Sequence, residues 1–156
     1  MKRFYSIYIG FMFMSFLLLG CLAIQQTTKG QVTQGIQGQI FEQKGNQMPQ
    51  IGKPISKGKG YATQLFIFEP TSIQSATQLS GSVFKKPSTQ LIGSYETDSL
   101  GHYKIHLKPG KYSFFVGYQN EYYATSFNQL NELGIVQVLP GTFATIDVII
   151  SAKASY

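Results

Sequence analysis

The most constraining feature of this chain is a set of short alternating segments in its second half, each followed by a turn signal. Apolar and polar side chains alternate over His102–Leu107, and over Lys111–Tyr118 every second position is apolar, at Tyr112, Phe114, Val116 and Tyr118. Successive side chains of a β-strand point to opposite faces of a sheet, so this period predicts strands with one buried face. Pro109-Gly110 lies between the two segments and favours a type II turn. Together these features predict a β-hairpin.

Segments of the same kind cover most of the chain. They predict further strands at Gly35–Glu42, Tyr61–Glu69, Leu91–Thr97, Tyr122–Phe127, Ile135–Leu139 and Phe143–Ser151. A turn is predicted at Thr97–Gly101, where Asp98 accepts hydrogen bonds from backbone N–H groups and Gly101 takes a positive φ. Tyr and Phe are abundant and no helical period is present. Many short strands joined by turns indicate an all-β sandwich.

Two polar stretches separate the early strands. Residues 43–60 form a long insert that contains no acid and four lysines, Lys44, Lys53, Lys57 and Lys59. Loops of this length are uncommon in compact domains and are often functional or mobile. One interpretation is a solvated loop; the other is contact with anionic lipid headgroups, a surface polysaccharide or an acidic partner, through Lys53, Lys57 and Lys59. Residues 71–82 are rich in Ser, Thr and Gln and predict a loop with one helical turn.

The N-terminus has the layout of a secretory signal. Lys2 and Arg3 precede an almost unbroken apolar stretch, Phe4–Leu19, which ends at a small residue, Gly20. A charged head, an apolar middle and a small residue at the cut site are the parts of such a signal. The alternative is an uncleaved membrane anchor, because an apolar stretch of about 20 residues is long enough to span a bilayer.

The next residue, Cys21, is the only cysteine of the chain. Leu18-Leu19-Gly20-Cys21 resembles the lipobox of bacterial lipoproteins. That resemblance implies cleavage between Gly20 and Cys21, a diacylglycerol on the thiol and an acyl chain on the new amine. The lipid bilayer would then be a partner through acylated Cys21, since two or more acyl chains hold a protein stably on a membrane.

The lipobox also implies a division of the chain and a location. Residues 1–20 would be the signal peptide, 21–34 the lipidated cysteine with a flexible tether, and 35–152 the sandwich containing the 43–60 insert. Leu22 takes the place of the Asp that often retains lipoproteins in the inner membrane. By resemblance to sorting in Gram-negative bacteria, this favours a lipid-anchored protein of the cell envelope at the outer membrane, with the periplasmic or surface face left open.

A second resemblance covers the sandwich. Its motifs are Thr97-Asp98 with Gly101 and Tyr103, then Pro109-Gly110 with Tyr112, then Gly117-Tyr118, all preceded by an opening strand at Gly35–Ile40. They resemble those of the carboxypeptidase regulatory-like domains, except that the 43–60 insert replaces a short link. The resemblance implies a seven-stranded, transthyretin-like (prealbumin-like) β-sandwich. Members of that family mostly serve as accessory, interaction or cell-surface modules.

Catalytic and metal-binding patterns are missing from the sequence. No serine has a GxSxG setting, and the acids are few and scattered. His102 and His106 share a strand face but stand roughly 13 Å apart, too far to ligate one metal. We therefore expect no enzyme activity, no cofactor and no metal. The formal charge of +6 includes Lys2 and Arg3 of the signal, and the sequence contains no arginine-rich cluster. Nucleic acid is therefore not an expected partner.

These observations predict a non-enzymatic envelope lipoprotein that acts as a membrane-tethered structural or protein-interaction module, with an envelope protein as its unidentified partner. The alternative is a glycan-binding accessory lipoprotein of an uptake or surface system. Tyr118, Tyr122 and Tyr123 are the candidate contacts for a ligand or partner, because exposed aromatic rings stack on sugars. The competing interpretation places these rings in the core or at sheet edges.

Overall fold

The computed structural model describes residues 33–46, 48, 52 and 56–155. These residues form twelve strands in two sheets, and the predicted all-β sandwich is confirmed. A single 3₁₀ turn, Ile73–Ser75, lies in the segment for which one helical turn was predicted. The strands are β1 (Gly35–Asn46), β2 (Lys59–Gly60), β3 (Gln64–Phe68), β4 (Gln78–Ser80), β5 (Val83–Phe84), β6 (Leu91–Glu96), β7 (His102–His106), β8 (Gly110–Tyr118), β9 (Glu121–Ala124), β10 (Ile135–Val138), β11 (Phe143–Thr145) and β12 (Val148–Ser155).

The smaller sheet has five strands and is built around β1. Antiparallel β7 lies along the first half of β1, and antiparallel β2 lies along the second half. On its other side β1 pairs in parallel with β11 and then with β12, so the first and last strands are neighbours. β1 is longer than the predicted Gly35–Glu42, because β2 and β12 provide partners beyond Glu42 and a bulge near Gln43 keeps the pairing.

The larger sheet has seven strands in the order β4-β5-β9-β8-β3-β6, with β10 paired to the beginning of β8. β8 is the central strand, and it is apolar on both faces. Phe114 faces the core between the sheets and Phe115 faces the opposite side, yet neither ring is exposed. Such burial on both faces means that each side of this sheet is covered along part of its length.

The hairpin predicted from Pro109-Gly110 is wrong. β7 pairs with β1 in the smaller sheet, whereas β8 pairs with β3, β9 and β10 in the larger one. Gly110 does not take the positive φ of a type II turn; it begins β8. The link therefore carries the chain between sheets. Alternation predicts which side chains are buried but not which strand is the hydrogen-bonded partner. Both predicted apolar faces are in the core, where the rings of Tyr103 on β7 and Phe114 on β8 pack with their centroids 5.5 Å apart.

The predicted turn at Thr97–Gly101 is confirmed. Asp98 Oδ1 accepts hydrogen bonds from the backbone N–H groups of Leu100 at 2.9 Å and His102 at 2.7 Å. The pKa of Asp98 is lowered, first by the His102 backbone N–H, because hydrogen bonds to the charged form favour it. Gly101 has a φ of 85°, as the turn requires.

The predicted last strand, Phe143–Ser151, is divided into β11 and β12. Between them, Ile146 N–H donates to the carbonyl of Gln37 at 2.8 Å. The Asp147 carboxylate then replaces a backbone acceptor, since Oδ1 receives the N–H of Gln39 at 3.1 Å. Asp147 is exposed, in agreement with the predicted alternation, while Val148 is buried.

A second apolar cluster covers part of the outer face of the larger sheet. It contains Phe68, Phe84, Phe115, Ala124 and Leu133, and Ile73 and Ala76 of the 3₁₀ segment pack against it. Hydrogen bonds hold this segment in place: Thr71 N–H donates to Ser113 Oγ at 2.8 Å, and Leu133 N–H donates to the Thr71 carbonyl at 2.8 Å. The polar stretch after β3 is therefore a cover for the sheet.

Burial on both faces of β8 can be tested with paired substitutions. We expect Phe115→Ala to lower the free energy of unfolding by about 3–5 kcal/mol, as much as Phe114→Ala, because each removes a fully buried ring. Leu130→Ala, at a side chain that is 71% exposed, serves as the control and should change stability by less than about 0.5 kcal/mol. Urea unfolding of the full chain, followed by circular dichroism, measures all three. A Phe115→Ala effect as small as that of the control would show that the outer face is solvated.

Candidate functional site

A groove lies at the end of the larger sheet where β8 turns into β9. Its volume is about 570 Å³, within the range typical of small-molecule sites. We call it the β8–β9 groove. It is lined by four aromatic residues, five polar residues and one glycine: Tyr61, Phe66, Tyr118 and Tyr122; Thr63, Gln64, Gln119, Asn120 and Glu121; and Gly117.

The floor of the groove exists because of Gly117. This glycine follows Phe115 on the outer face of β8 and pairs with Tyr122 on β9. A Cβ here would lie 3.0 Å from the Gln64 carbonyl oxygen, 3.2 Å from Thr63 Oγ1 and 3.4 Å from the Phe66 ring. Thr63 Oγ1 also donates a hydrogen bond to the Gly117 carbonyl at 2.6 Å. Any larger side chain would therefore occupy the space that forms the groove.

A two-residue turn forms the rim. Gln119 and Asn120 have φ values of 54° and 65° and connect β8 to β9. Two consecutive positive φ values are the geometry of the type I′ hairpin turn, whose twist matches that of the flanking strands. Asn tolerates this conformation better than most side chains. The turn thus places two amide side chains and the following Glu121 beside the groove.

The aromatic residues form two pairs. The ring centroids of Phe66 and Tyr122 are 4.7 Å apart, and those of Tyr61 and Tyr118 are 6.2 Å apart. Phe66, Tyr61 and Tyr122 are half-buried, while Tyr118 is buried. Burial, and then the charge of Glu121, raise the pKa of Tyr122. The Tyr122 hydroxyl therefore stays neutral near pH 7, so any hydrogen bond that it makes to a ligand is uncharged.

Of the three tyrosines singled out from the sequence, Tyr122 has the most accessible ring. Tyr118 is 3% exposed and Tyr123 is 7% exposed, and both belong to the core between the sheets. Burial, and then the nearby Glu42 carboxylate, raise the pKa of Tyr118. For these two residues the packing interpretation describes the structure, because they lie on the inner face of their strands.

Sequence reasoning missed the part of the groove that β3 contributes. Gln64 and Phe66 lie far from β8 in the chain and meet it only through strand pairing. Two signals were nevertheless present. Gly117 interrupts a strand of otherwise bulky residues, and a glycine within a strand can indicate that another backbone segment approaches it closely. Gln119-Asn120 lies between two aromatic-rich runs at the spacing of a two-residue hairpin loop.

Two lysines of the insert, Lys44 and Lys57, have acidic neighbours in the described residues. Lys57 Nζ lies 3.0 Å from Asp147 Oδ2 and 5.6 Å from the Phe41 ring centroid. Lys44 Nζ lies 2.8 Å from Glu42 Oε2, and the hydrogen bond to Glu42, followed by the charge of Glu42, raises the pKa of Lys44. Lys59 is exposed on β2. Lys53, like Gly20 and Cys21, lies outside the described residues.

The histidines have local roles. His102 Nδ1 lies 3.1 Å from Asp98 Oδ2, and the His106 ring meets the Phe143 ring edge to face, with centroids 5.1 Å apart. The described part of the chain contains no group of three or more side chains that could hold a metal ion. That part also contains no helix with the length and apolar character needed to span a bilayer.

Comparison of the chain with protein-family models, with curated proteins and with solved structures finds no match. The observed β-sandwich is compatible with a transthyretin-like architecture. Membership of the carboxypeptidase regulatory-like family stays a prediction based on motifs. Function must therefore be argued from the groove and the N-terminal motif.

The rim turn gives a direct test of the groove's local structure. Asn120→Gly should leave the free energy of unfolding unchanged or slightly raised, because Gly takes a positive φ without strain. Asn120→Val should lower it by about 1–2 kcal/mol, because a β-branched residue is strained in this conformation. Urea unfolding of both variants measures the difference. Equal stability of the two would mean that residue 120 does not hold a positive φ.

Proposed function

We propose that this chain is a non-enzymatic, lipid-anchored binding module of the bacterial cell envelope, which presents the β8–β9 groove away from its membrane. The lipobox-like residues before and including Cys21 support the anchor. The observation that supports the orientation is that the chain enters the sandwich at one end while the groove lies at the other.

The entering chain is held at what we call the Gln34 end. The Gln34 carbonyl accepts the N–H of Leu107 at 3.2 Å, and its Oε1 accepts the N–H of Gly141 at 3.1 Å. Gly35 N–H donates to the Thr142 carbonyl at 3.0 Å. Both the backbone and the side chain of Gln34 are hydrogen-bonded to the sandwich, so the fold fixes the position at which the chain enters it.

The central strand links this end to the groove. β8 begins at Gly110, shortly after Leu107, and ends at Tyr118 beside the rim turn. At about 3.3 Å per residue, a strand of this length spans roughly 26 Å. The β8–β9 groove therefore lies at the opposite end of the sandwich, which we call the Gln119 end.

The connection from Cys21 to Gln34 sets how far the module could reach. An extended chain of this length spans at most about 45 Å. A module held within that distance of a membrane meets partners in the same layer at a raised effective concentration. With the Gln34 end towards the membrane, the groove would face outwards. By its Leu22, the protein is proposed to reside at the outer membrane.

A binding role is favoured over hydrolysis by the groove's side chains. Glu121 is the one carboxylic acid among its described lining residues. Most glycoside hydrolases need two carboxyl groups, one on each side of the scissile bond. The groove can therefore hold a ligand through rings and amides, but it lacks the paired groups of that chemistry.

The anchor is tested by acylation. In a Gram-negative host, the full chain should incorporate labelled palmitate, and Cys21→Ser should abolish the label because the acceptor thiol is gone. Gln25→Ser, a nearby change outside the lipobox, is the matched control and should retain the label. Recovery of wild-type protein cut after Gly20 with a free thiol would contradict the anchor.

The orientation is tested with single added cysteines. Because acylated Cys21 cannot react, a fluorophore can be attached to lipidated protein through Asn120→Cys or through Pro109→Cys at the opposite end. In vesicles that contain headgroup-linked quencher, we expect stronger quenching at position 109 than at position 120, because contact quenching requires proximity. Equal quenching, or stronger quenching at position 120, would contradict the proposed orientation.

A further inference from the structure

We infer that the β8–β9 groove binds an uncharged saccharide, a short neutral oligosaccharide or the end of a neutral polysaccharide. The inference rests on the proposed binding function but specifies the class of ligand. It depends on three properties of the groove: half-buried aromatic rings, amide side chains around them, and a single negative charge.

The rings provide surfaces for the C–H faces of a sugar. Phe66 and Tyr122 lie side by side on the outer face of the sheet, and Tyr61 contributes a third half-buried ring. Tyr122 is held from behind by Phe68 and Phe115, whose ring centroids lie 5.9 Å and 6.4 Å away. A ring fixed in this way loses little conformational entropy on binding, which favours affinity.

The polar residues match the other half of a sugar's chemistry. A sugar hydroxyl both donates and accepts hydrogen bonds, and so does each amide side chain of Gln64, Gln119 and Asn120. Two of these amides are on the tight rim turn, whose backbone conformation is restricted. Rings for the apolar faces and amides for the hydroxyls therefore occur together in one concave site.

Charge argues against anionic ligands. Glu121 is the only charged side chain among the described residues that line the groove. A phosphate, sulfate or uronate would be repelled by this carboxylate. Lys44 and Lys57 form ion pairs with Glu42 and Asp147 and are not among the residues that line the groove. A neutral sugar, or an amino sugar, is compatible with the charge.

A protein partner fits less well. Protein interfaces centre on exposed aromatic and aliphatic anchors. The large apolar side chains that are strongly exposed in the described part of the chain, such as Leu91, Ile92, Leu130 and Leu139, lie outside the groove. The groove is instead a small concave site at the end of the larger sheet, which suits a ligand of a few rings.

The test uses the full lipidated chain in a detergent without a sugar headgroup. Its probes are immobilised oligosaccharides of glucose, mannose, galactose and N-acetylglucosamine, with heparin and polygalacturonate fragments as anionic probes. We expect binding to at least one neutral series and not to the anionic probes. Tyr122→Ala and Phe66→Ala should each raise the dissociation constant for the sugar by about tenfold or more. A tenfold rise corresponds to a loss of roughly 1.4 kcal/mol of binding free energy.

Two further variants make the result interpretable. Asn120→Gly removes one amide while keeping the positive φ, so it should weaken sugar binding several-fold without loss of stability. Phe143→Ala is the matched aromatic control; it removes a half-buried ring that lies outside the groove, near His106, and should leave binding unchanged. Thermal unfolding of each variant shows whether it is folded. If Tyr122→Ala or Phe66→Ala does not fold, sugar binding by Asn120→Gly still tests the inference.

Several outcomes would overturn the inference. These are no binding to any neutral probe at millimolar sugar, preference for the anionic probes, or neutral binding that survives both Tyr122→Ala and Asn120→Gly. Cys21→Ser separates the two proposals, because this variant should lose palmitate yet retain sugar binding. Wild-type protein that carries palmitate but binds no sugar would support the lipid anchor and overturn the sugar-binding inference.

Discussion

The backbone pairing of β1 is the constraint on which the rest of the structure depends. β1 takes four partners, two antiparallel and two parallel, and so joins the beginning, the middle and the end of the domain into one sheet. The approach of its neighbours is close: a Cβ at Gly38 would collide with the carbonyl of Ile146. Glycine at this position is therefore required by sheet geometry, which gives a physical reason for the spaced glycines of the opening strand.

Closure of the smaller sheet by its first and last strands fixes where the chain enters. Gln34 is held between Leu107 and Gly141, so the polypeptide that precedes the domain leaves from one end. β8 then extends through the core from Gly110 to Tyr118, where the rim turn begins. The separation between the Gln34 end and the groove follows from the length and direction of β8, without any special feature of the loops.

The groove exists because the outer face of the larger sheet is covered only in part. The segment after β3 packs Ile73 and Ala76 against the cluster that contains Phe115, whereas Gly117 lines the open groove. Tyr122 lies at the boundary, in ring contact with Phe68 and Phe115 on one side and with Phe66 in the groove on the other. The same apolar cluster that stabilises the sheet therefore also holds the main ring of the candidate site.

The success of sequence reasoning depended on how local each signal is. The burial of Tyr103 and Phe114 and the Asp98 turn follow from alternation and from residues a few positions apart, so they were predicted. The partner of β7 was predicted wrongly, because a link of the same length joins two strands of one sheet or crosses between two sheets. Tyr122 was recognised as a candidate, whereas Phe66 was not, since only the pairing of β3 with β8 brings it there.

The sequence by itself determined that the chain forms short strands, that alternate side chains of β7 are buried, and that a turn lies at Thr97–Gly101. These properties arise from short-range preferences of the backbone and from the period of two. Tertiary structure alone decided that β7 and β8 belong to different sheets, that Phe66 lies beside Tyr122, and that Gly117 forms the floor of a groove. These features depend on contacts between residues far apart in the chain, whose free energies no local pattern contains.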